Sequence, residues 1–155
     1  MTAETRPLRI AAKAVIVQDG RLLALHLEGE EGAYYMLPGG GHEIGETLEE
    51  TLRRECQEEI GAEIKPGSVV WIRDYREDNH EFVGRRPGFH QLEIMFNCNL
   101  LGEPNMASQG DTRQLGLVWI PLAEIEEWSF YPKTLRSRLA AGIPTSGAIY
   151  LGDVN

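Results

Sequence analysis

The apolar positions of this chain come in short runs until residue 47, where their spacing changes. Residues 12–17 and 21–27 are apolar-rich runs of strand length. Asp19-Gly20 joins them, a pair that favours the tight left-handed turn of a β-hairpin. Residues 28–33 are acidic and glycine-bearing and read as a loop. Residues 34–37 read as a short strand delivering the chain to Pro38 and to a turn at Gly39, Gly40 and Gly41. From 47 to 60 the period lengthens. Leu48, Leu52, Cys56 and Ile60 recur every four residues, which predicts a helix with one side turned to the core. Gly61 is its natural C-cap.

The second half alternates instead. Residues 68–76 read as a strand and 77–88 as a polar loop. Over 89–101, Leu92, Ile94, Phe96, Cys98 and Leu100 form one face of a strand, and Gln91, Glu93, Asn97 and Asn99 the other. A loop over 102–110, a strand over 115–120, a helical turn over 121–127 and a short helix over 132–140 follow, the last with Leu135 and Leu139 inward. Residues 148–151 add a final strand. There is no repeat and no linker, so the expectation is a single domain spanning 1–155. Strands on both sides of one central helix, with another helix late, indicate an α/β or α+β sandwich.

The helix carries the candidate chemistry. Glu55, Glu58 and Glu59 stand at i, i+3 and i+4 on one face. Glu55 and Glu59 fall within about 20° of Leu48 on the helical wheel, at the edge of the apolar seam. Arg53 and Gln57 point the other way, to water. Acidic residues on a helix are ordinarily a solvated face. At the edge of a buried seam, however, carboxylates repel one another and lose hydration, which calls for a compensating cation. Hard cations such as Mg²⁺ take oxygen ligands, so the spacing suggests a carboxylate metal site.

Composition narrows the setting. A chain of 155 residues with 42% hydrophobic and 25% charged residues is ordinary for one globular domain. The N-terminal ten residues lack an apolar core and no run reaches membrane-spanning length, so no membrane association and cytoplasmic residence are the default expectations. Cys56 and Cys98 are no disulfide framework and read as buried free thiols. A net charge of −9 argues against a grip on duplex nucleic acid. It leaves open a phosphorylated small molecule, because bound divalent cations invert the local field.

The pattern Gly40-x5-Glu46-x7-Arg54-Glu55-Cys56-x-Glu58-Glu59-x-Gly61-Ala62 resembles the Nudix box of the Nudix hydrolase superfamily, and Leu37-Pro38-Gly39-Gly40-Gly41 resembles its usual lead-in. Two positions that are Ile, Leu or Val in the family carry Cys56 and Ala62, both small and apolar, and no proposed ligand is touched. The resemblance implies an α/β/α Nudix fold, a mixed sheet between helices. It implies Mg²⁺ or Mn²⁺ on Glu55, Glu58 and Glu59, with the Gly39 carbonyl joining the shell. It also implies structural roles for Glu46 and Arg54, Arg54 orienting the catalytic carboxylates. The implied reaction is metal-dependent cleavage of a phosphoanhydride bond in a nucleoside diphosphate linked to another moiety, or in a nucleoside triphosphate. Dimerisation rests on family analogy alone.

The general base stays open between the box and two residues outside it. Glu93 projects from the polar face of the long strand, where a solvated or cross-strand charge pair is the ordinary role. Asp111 lies in a loop beside Gly110, where an aspartate is usually a turn residue. Glu93 stands slightly ahead of Asp111 as a catalytic base, because a sheet position is better preorganised; if neither serves, Glu55 is the first candidate in the box. Trp71, Tyr75, Phe130 and Tyr131 read as core or rim, and His80 and His90 as exposed or core histidines. Two other readings compete. A Nudix-type domain could bind a nucleotide without turnover, but that gives no use to three metal-binding carboxylates. An isomerase acting on an isoprenoid diphosphate would need cysteine acid/base chemistry, and neither cysteine lies in a polar motif.

Overall fold

Asp19 and Gly20 both take left-handed backbone conformations, φ 51° and 72°, and close a hairpin between β1 (Arg9–Gln18) and β2 (Arg21–Gly29). The structure, a computed structural model, describes residues 6–79, 86–106 and 113–155. Within them follow β3 (Gly32–Met36), β4 (Gly39–Gly41), α1 (Leu48–Ile60), β5 (Ile64–Arg76), β6 (His90–Leu100), β7 (Gln114–Pro121), α2 (Thr134–Ala141) and β8 (Ile149–Asp153). The sheet runs β3-β2-β1-β6-β5-β8, with β4 added on β1 and β7 on β2. It is mixed: β1 runs parallel to β6 and β5 parallel to β8, the other pairs being antiparallel.

Alternation along the strands builds a core on each face of this sheet. Ala12, Ala14, Ile16, Leu23, Leu25, Phe96 and Cys98 pack with Leu52, Cys56 and Ile60 of α1. Val15, Leu22, Ala24, Trp71 and Met95 point the other way, onto Ile125, Phe130 and the α2 residues Leu135 and Leu139. The result is helix, mixed sheet, helix, the α/β sandwich expected. Both cysteines are free and buried, and burial pushes the Cys98 thiol up to about 12.

One pairing prepares the site. β1 and β2 are paired only beside the turn, at Val17↔Leu22 and Gln18↔Arg21, and then part. β4 enters the opening and pairs with β1 at Ala11↔Gly41, Ala12↔Gly40 and Lys13↔Gly39. The three glycines therefore form a short strand rather than the turn expected. No side chain keeps them from lying close against β1: a Cβ on Gly39, whose φ is 136°, would come 2.1 Å from the Ala12 carbonyl oxygen.

Two further expectations change. Most of the loop predicted over 28–33 is hairpin, because β2 continues to Gly29 and β3 begins at Gly32, paired Gly29↔Gly32. β5 begins at Ile64, four residues before the predicted start, and crosses irregularities after Pro66 and Val69. Of the two roles open to Glu93 on the polar face of β6, the cross-strand charge pair is the one found. Gln91, Glu93 and Met95 are buried, because Arg73 on β5 lies directly opposite Glu93 in register and supplies the charge that lets the carboxylate stay inside.

Candidate active site

The helix that bears the carboxylates is fixed at both ends. Thr47 and Glu50 form a reciprocal capping box, Thr47 Oγ1 accepting from Glu50 N (3.2 Å) and Glu50 Oε2 from Thr47 N (2.8 Å). Gly61 adopts φ 64° at the C-cap, its N–H donating to the Cys56 carbonyl. With Leu52, Cys56 and Ile60 fully buried, the rotation of the helix is set. Arg53 and Gln57 are exposed, as expected.

Arg54 organises the acidic residues around it. Its Nε and Nη2 donate to the two oxygens of Glu46 at 2.8 and 2.9 Å, and Nη1 donates to Glu55 Oε1 at 2.8 Å. Nη2 also donates to the Gly41 carbonyl at 3.0 Å, tying α1 to β4. Glu46 further accepts from the Thr51 hydroxyl and the Glu43 amide. The Arg54 guanidinium, helped by these donors, holds its carboxyl down at about 2. Glu46 is thus an anchor that accepts from Arg54 and Thr51 of α1 and from the Glu43 amide of the loop.

Glu55 and Glu59 face the glycine strand. The Glu55 carboxylate lies against Gly40, where a Cβ would come 2.5 Å from its Cδ. Glu59 Oε1 accepts from the Gly39 N–H at 3.2 Å. Burial pushes the Glu59 carboxyl up to about 8; Lys13 and the Gly39 amide oppose this, and the neighbouring Glu55 carboxylate adds to it. Glu58 stands apart, its side chain 58% exposed and 3.9 Å from Arg54. Among the described residues no three acidic, histidine or cysteine side chains converge tightly enough to enclose a metal ion.

The donors at this place still suit a hard cation. Two carboxylates confront each other beside the Gly39–Gly40 backbone, and burial raises the carboxyl of Glu59. A divalent ion takes such oxygen ligands, and Glu58 is free in solvent to join them.

Glu93 lies elsewhere, on the far face of the sheet. Arg73 Nε donates to its Oε2 at 2.5 Å and Gln91 Nε2 to its Oε1 at 2.9 Å. Burial works against its charge, but Arg73, Lys13 and these hydrogen bonds outweigh it and hold the carboxyl below its ordinary value. Asp111 and His80 lie outside the described residues. His90 pairs with Asp74 at 2.7 Å. Trp71 and Phe130 are core and Tyr131 is half-buried. The sequence reading passed over two residues: Lys13, which reaches the glycine strand, and Arg73, which holds Glu93. Lys13 had a signal, a lone cation in the run Ala11-Ala12-Lys13-Ala14-Val15.

The fold and the Arg54-centred box define a Nudix-type domain. The NUDIX domain family model matches residues 7–139, and the chain belongs to this family of Nudix hydrolases. It is similar to the nucleoside triphosphatase NudI of Escherichia coli O139:H28, 31% identical over 90 residues that cover 54% of this chain and 63% of that protein. The matched region thus spans less than two thirds of that relative's length. Among solved structures it resembles a MutT NUDIX hydrolase from Burkholderia pseudomallei, with TM-score 0.69 and 22% identity, covering 86% of this chain and 98% of that one. It also resembles an ADP-ribose pyrophosphatase from Streptococcus suis 89-1591, with TM-score 0.60 and 20% identity, covering 92% and 98%. At these identities the structural likeness establishes the fold. Among the described residues no helix is long and apolar enough to cross a membrane.

Proposed function

We propose that this chain hydrolyses a phosphoanhydride bond in a nucleoside diphosphate linked to another moiety, or in a nucleoside triphosphate, with Mg²⁺ or Mn²⁺ as cofactor. The observation that carries this reading is the confrontation of Glu55 and Glu59 over the Gly39–Gly40 backbone, with Arg54 holding Glu55 from behind. The names of relatives, a nucleoside triphosphatase and an ADP-ribose pyrophosphatase, point to the same class of bond.

In this reading Glu55, Glu58, Glu59 and the Gly39 carbonyl hold the metal. The bound ion would neutralise phosphoryl oxygens and acidify the attacking water. Arg54 and Glu46 position rather than react: the planar guanidinium fixes Glu55 relative to the loop, which a flexible ammonium would not do. Gly40, lacking a side chain, lets the Glu55 carboxylate lie directly against the strand. Both oxygens of Glu93 already accept from cross-strand and same-strand donors, which favours a carboxylate of the box over Glu93 as acceptor of the attacking water's proton. Glu55, oriented by Arg54 through Oε1 and set against Gly40, is our candidate.

The test is a panel of ADP-ribose, sugar nucleotides, dinucleoside polyphosphates and nucleoside triphosphates, incubated with Mg²⁺ and with Mn²⁺. Release of a nucleoside monophosphate from at least one member is expected. No turnover of any member with either ion would overturn the reading.

A further inference from the structure

Lys13 sits in the middle of β1 among Ala11, Ala12, Ala14 and Val15, all buried. Lys13 itself is half-buried, and its charge acts on two carboxylates, Glu59 and Glu93. Its Nζ lies 3.5 Å from the Gly39 carbonyl oxygen, and its charge acts on Glu59 from that side. On the other side it lines a cavity of about 10 Å³ together with Glu93, Arg73, Met36, Leu37 and Tyr131.

The two cations beside Glu93 differ in freedom. Arg73 is committed: it pairs with Glu93 at 2.5 Å and donates to the Val154 carbonyl at 2.8 Å. That pair already matches one negative charge with one positive. The Gly39 contact of Lys13 exceeds the usual N–H···O limit of about 3.2 Å and is weak. Among the described residues Lys13 is therefore held by no close ion pair, its charge acting on Glu59 and Glu93 from a flexible stem next to the glycine strand that borders the carboxylates. Its backbone cannot wander, because β6 pairs along one edge of β1 and β4 along the other.

We propose that Lys13 is a phosphoryl-binding residue, its ammonium exchanging the Gly39 carbonyl for a non-bridging oxygen of the substrate's diphosphate, with Glu93 and Arg73 as positioning residues that keep it at the site. The proposal rests on the phosphoanhydride reading above. It follows the needs of charge: a protein of net charge −9 must supply local cations to hold a diphosphate, and Arg54 is spent on Glu46 and Glu55. A lysine ammonium serves phosphate as a compact point charge. It makes and breaks no covalent bond here.

Binding of α,β-methylene-ADP, whose bridge cannot be hydrolysed, tests this by calorimetry in Mg²⁺ and again in chelator. Lys13→Met should weaken binding about tenfold or more, and Lys13→Arg should restore most of it. Glu93→Gln should weaken it less, since the ammonium is then held less firmly. In turnover, Lys13→Met should raise KM more than it lowers kcat. The side-chain Cε–Hε resonances of Lys13 in the unaltered protein should also move as the analogue is added. Unchanged affinity in Lys13→Met, or unmoved Lys13 resonances at saturation, would overturn the proposal even with hydrolysis intact. An unaltered protein that binds neither the analogue nor inorganic pyrophosphate would remove the phosphoanhydride reading and this proposal together.

Discussion

Arg54 and Glu46 meet through two parallel hydrogen bonds, Nε to Oε2 at 2.8 Å and Nη2 to Oε1 at 2.9 Å. The planar fork so fixed leaves Nη1 directed at Glu55. One residue thereby ties β4, the loop after it and a candidate ligand together. Lys in its place keeps the charge but loses the fork. Arg54→Lys should therefore lower kcat about 10- to 100-fold, as removal of ligand-orienting partners does elsewhere, while circular dichroism remains that of a folded protein. Near-normal kcat in Arg54→Lys would show that the bidentate geometry is not needed.

Glu46 also links the box to acid stability. Its folded value of about 2 lies below the ordinary 4.5, chiefly through Arg54. A depressed carboxyl stabilises the fold above its unfolded value, and that stabilisation is lost as pH falls from about 4.5 towards 2. Glu46→Gln should be less stable than the parent at pH 6, with the gap narrower at pH 3. Urea unfolding at the two pH values measures this, and a gap that widens in acid would contradict it.

Glu59 has the opposite sign. Burial raises its carboxyl to about 8, so the metal-free fold is favoured with the proton on. This contribution is full below about 4.5 and is lost as pH rises through 8. Without metal, Glu59→Gln should resist denaturant better than the parent at pH 9 and equally at pH 4, while its turnover with metal falls by orders of magnitude. Arg53→Gln, on the exposed side of α1, should change stability by no more than about 0.5 kcal/mol and leave turnover intact. If Arg53 proved essential and Glu59 dispensable, the assigned helical face would be wrong.

How far these features were legible in sequence depended on whether their cause was local. Asp19-Gly20 closes its hairpin through backbone conformations those two residues favour. Thr47, Glu50 and Gly61 bound α1 through contacts within a few residues. The rotation that brings Glu55 and Glu59 to the site follows from Leu52, Cys56 and Ile60. β4 gave no such signal, since three glycines have no alternation and their pairing partner is β1, far away in sequence. Glu93 read as solvated or as one half of a cross-strand charge pair; the second holds, but its partner Arg73, twenty residues distant on β5, could not be named from sequence. The exposure of Glu58 was likewise hidden, as i, i+3 and i+4 spacing gives an angular range and not the depth of each side chain.

The central claim is that the carboxylates of α1 act through a divalent ion on a phosphoanhydride. Its most direct test follows nucleoside monophosphate release from a hydrolysed member of the substrate panel, in Mg²⁺, after complete chelation, and after Mg²⁺ or Mn²⁺ is restored. Turnover should vanish with the chelator and return with the metal. Full turnover in metal-free buffer would contradict the account.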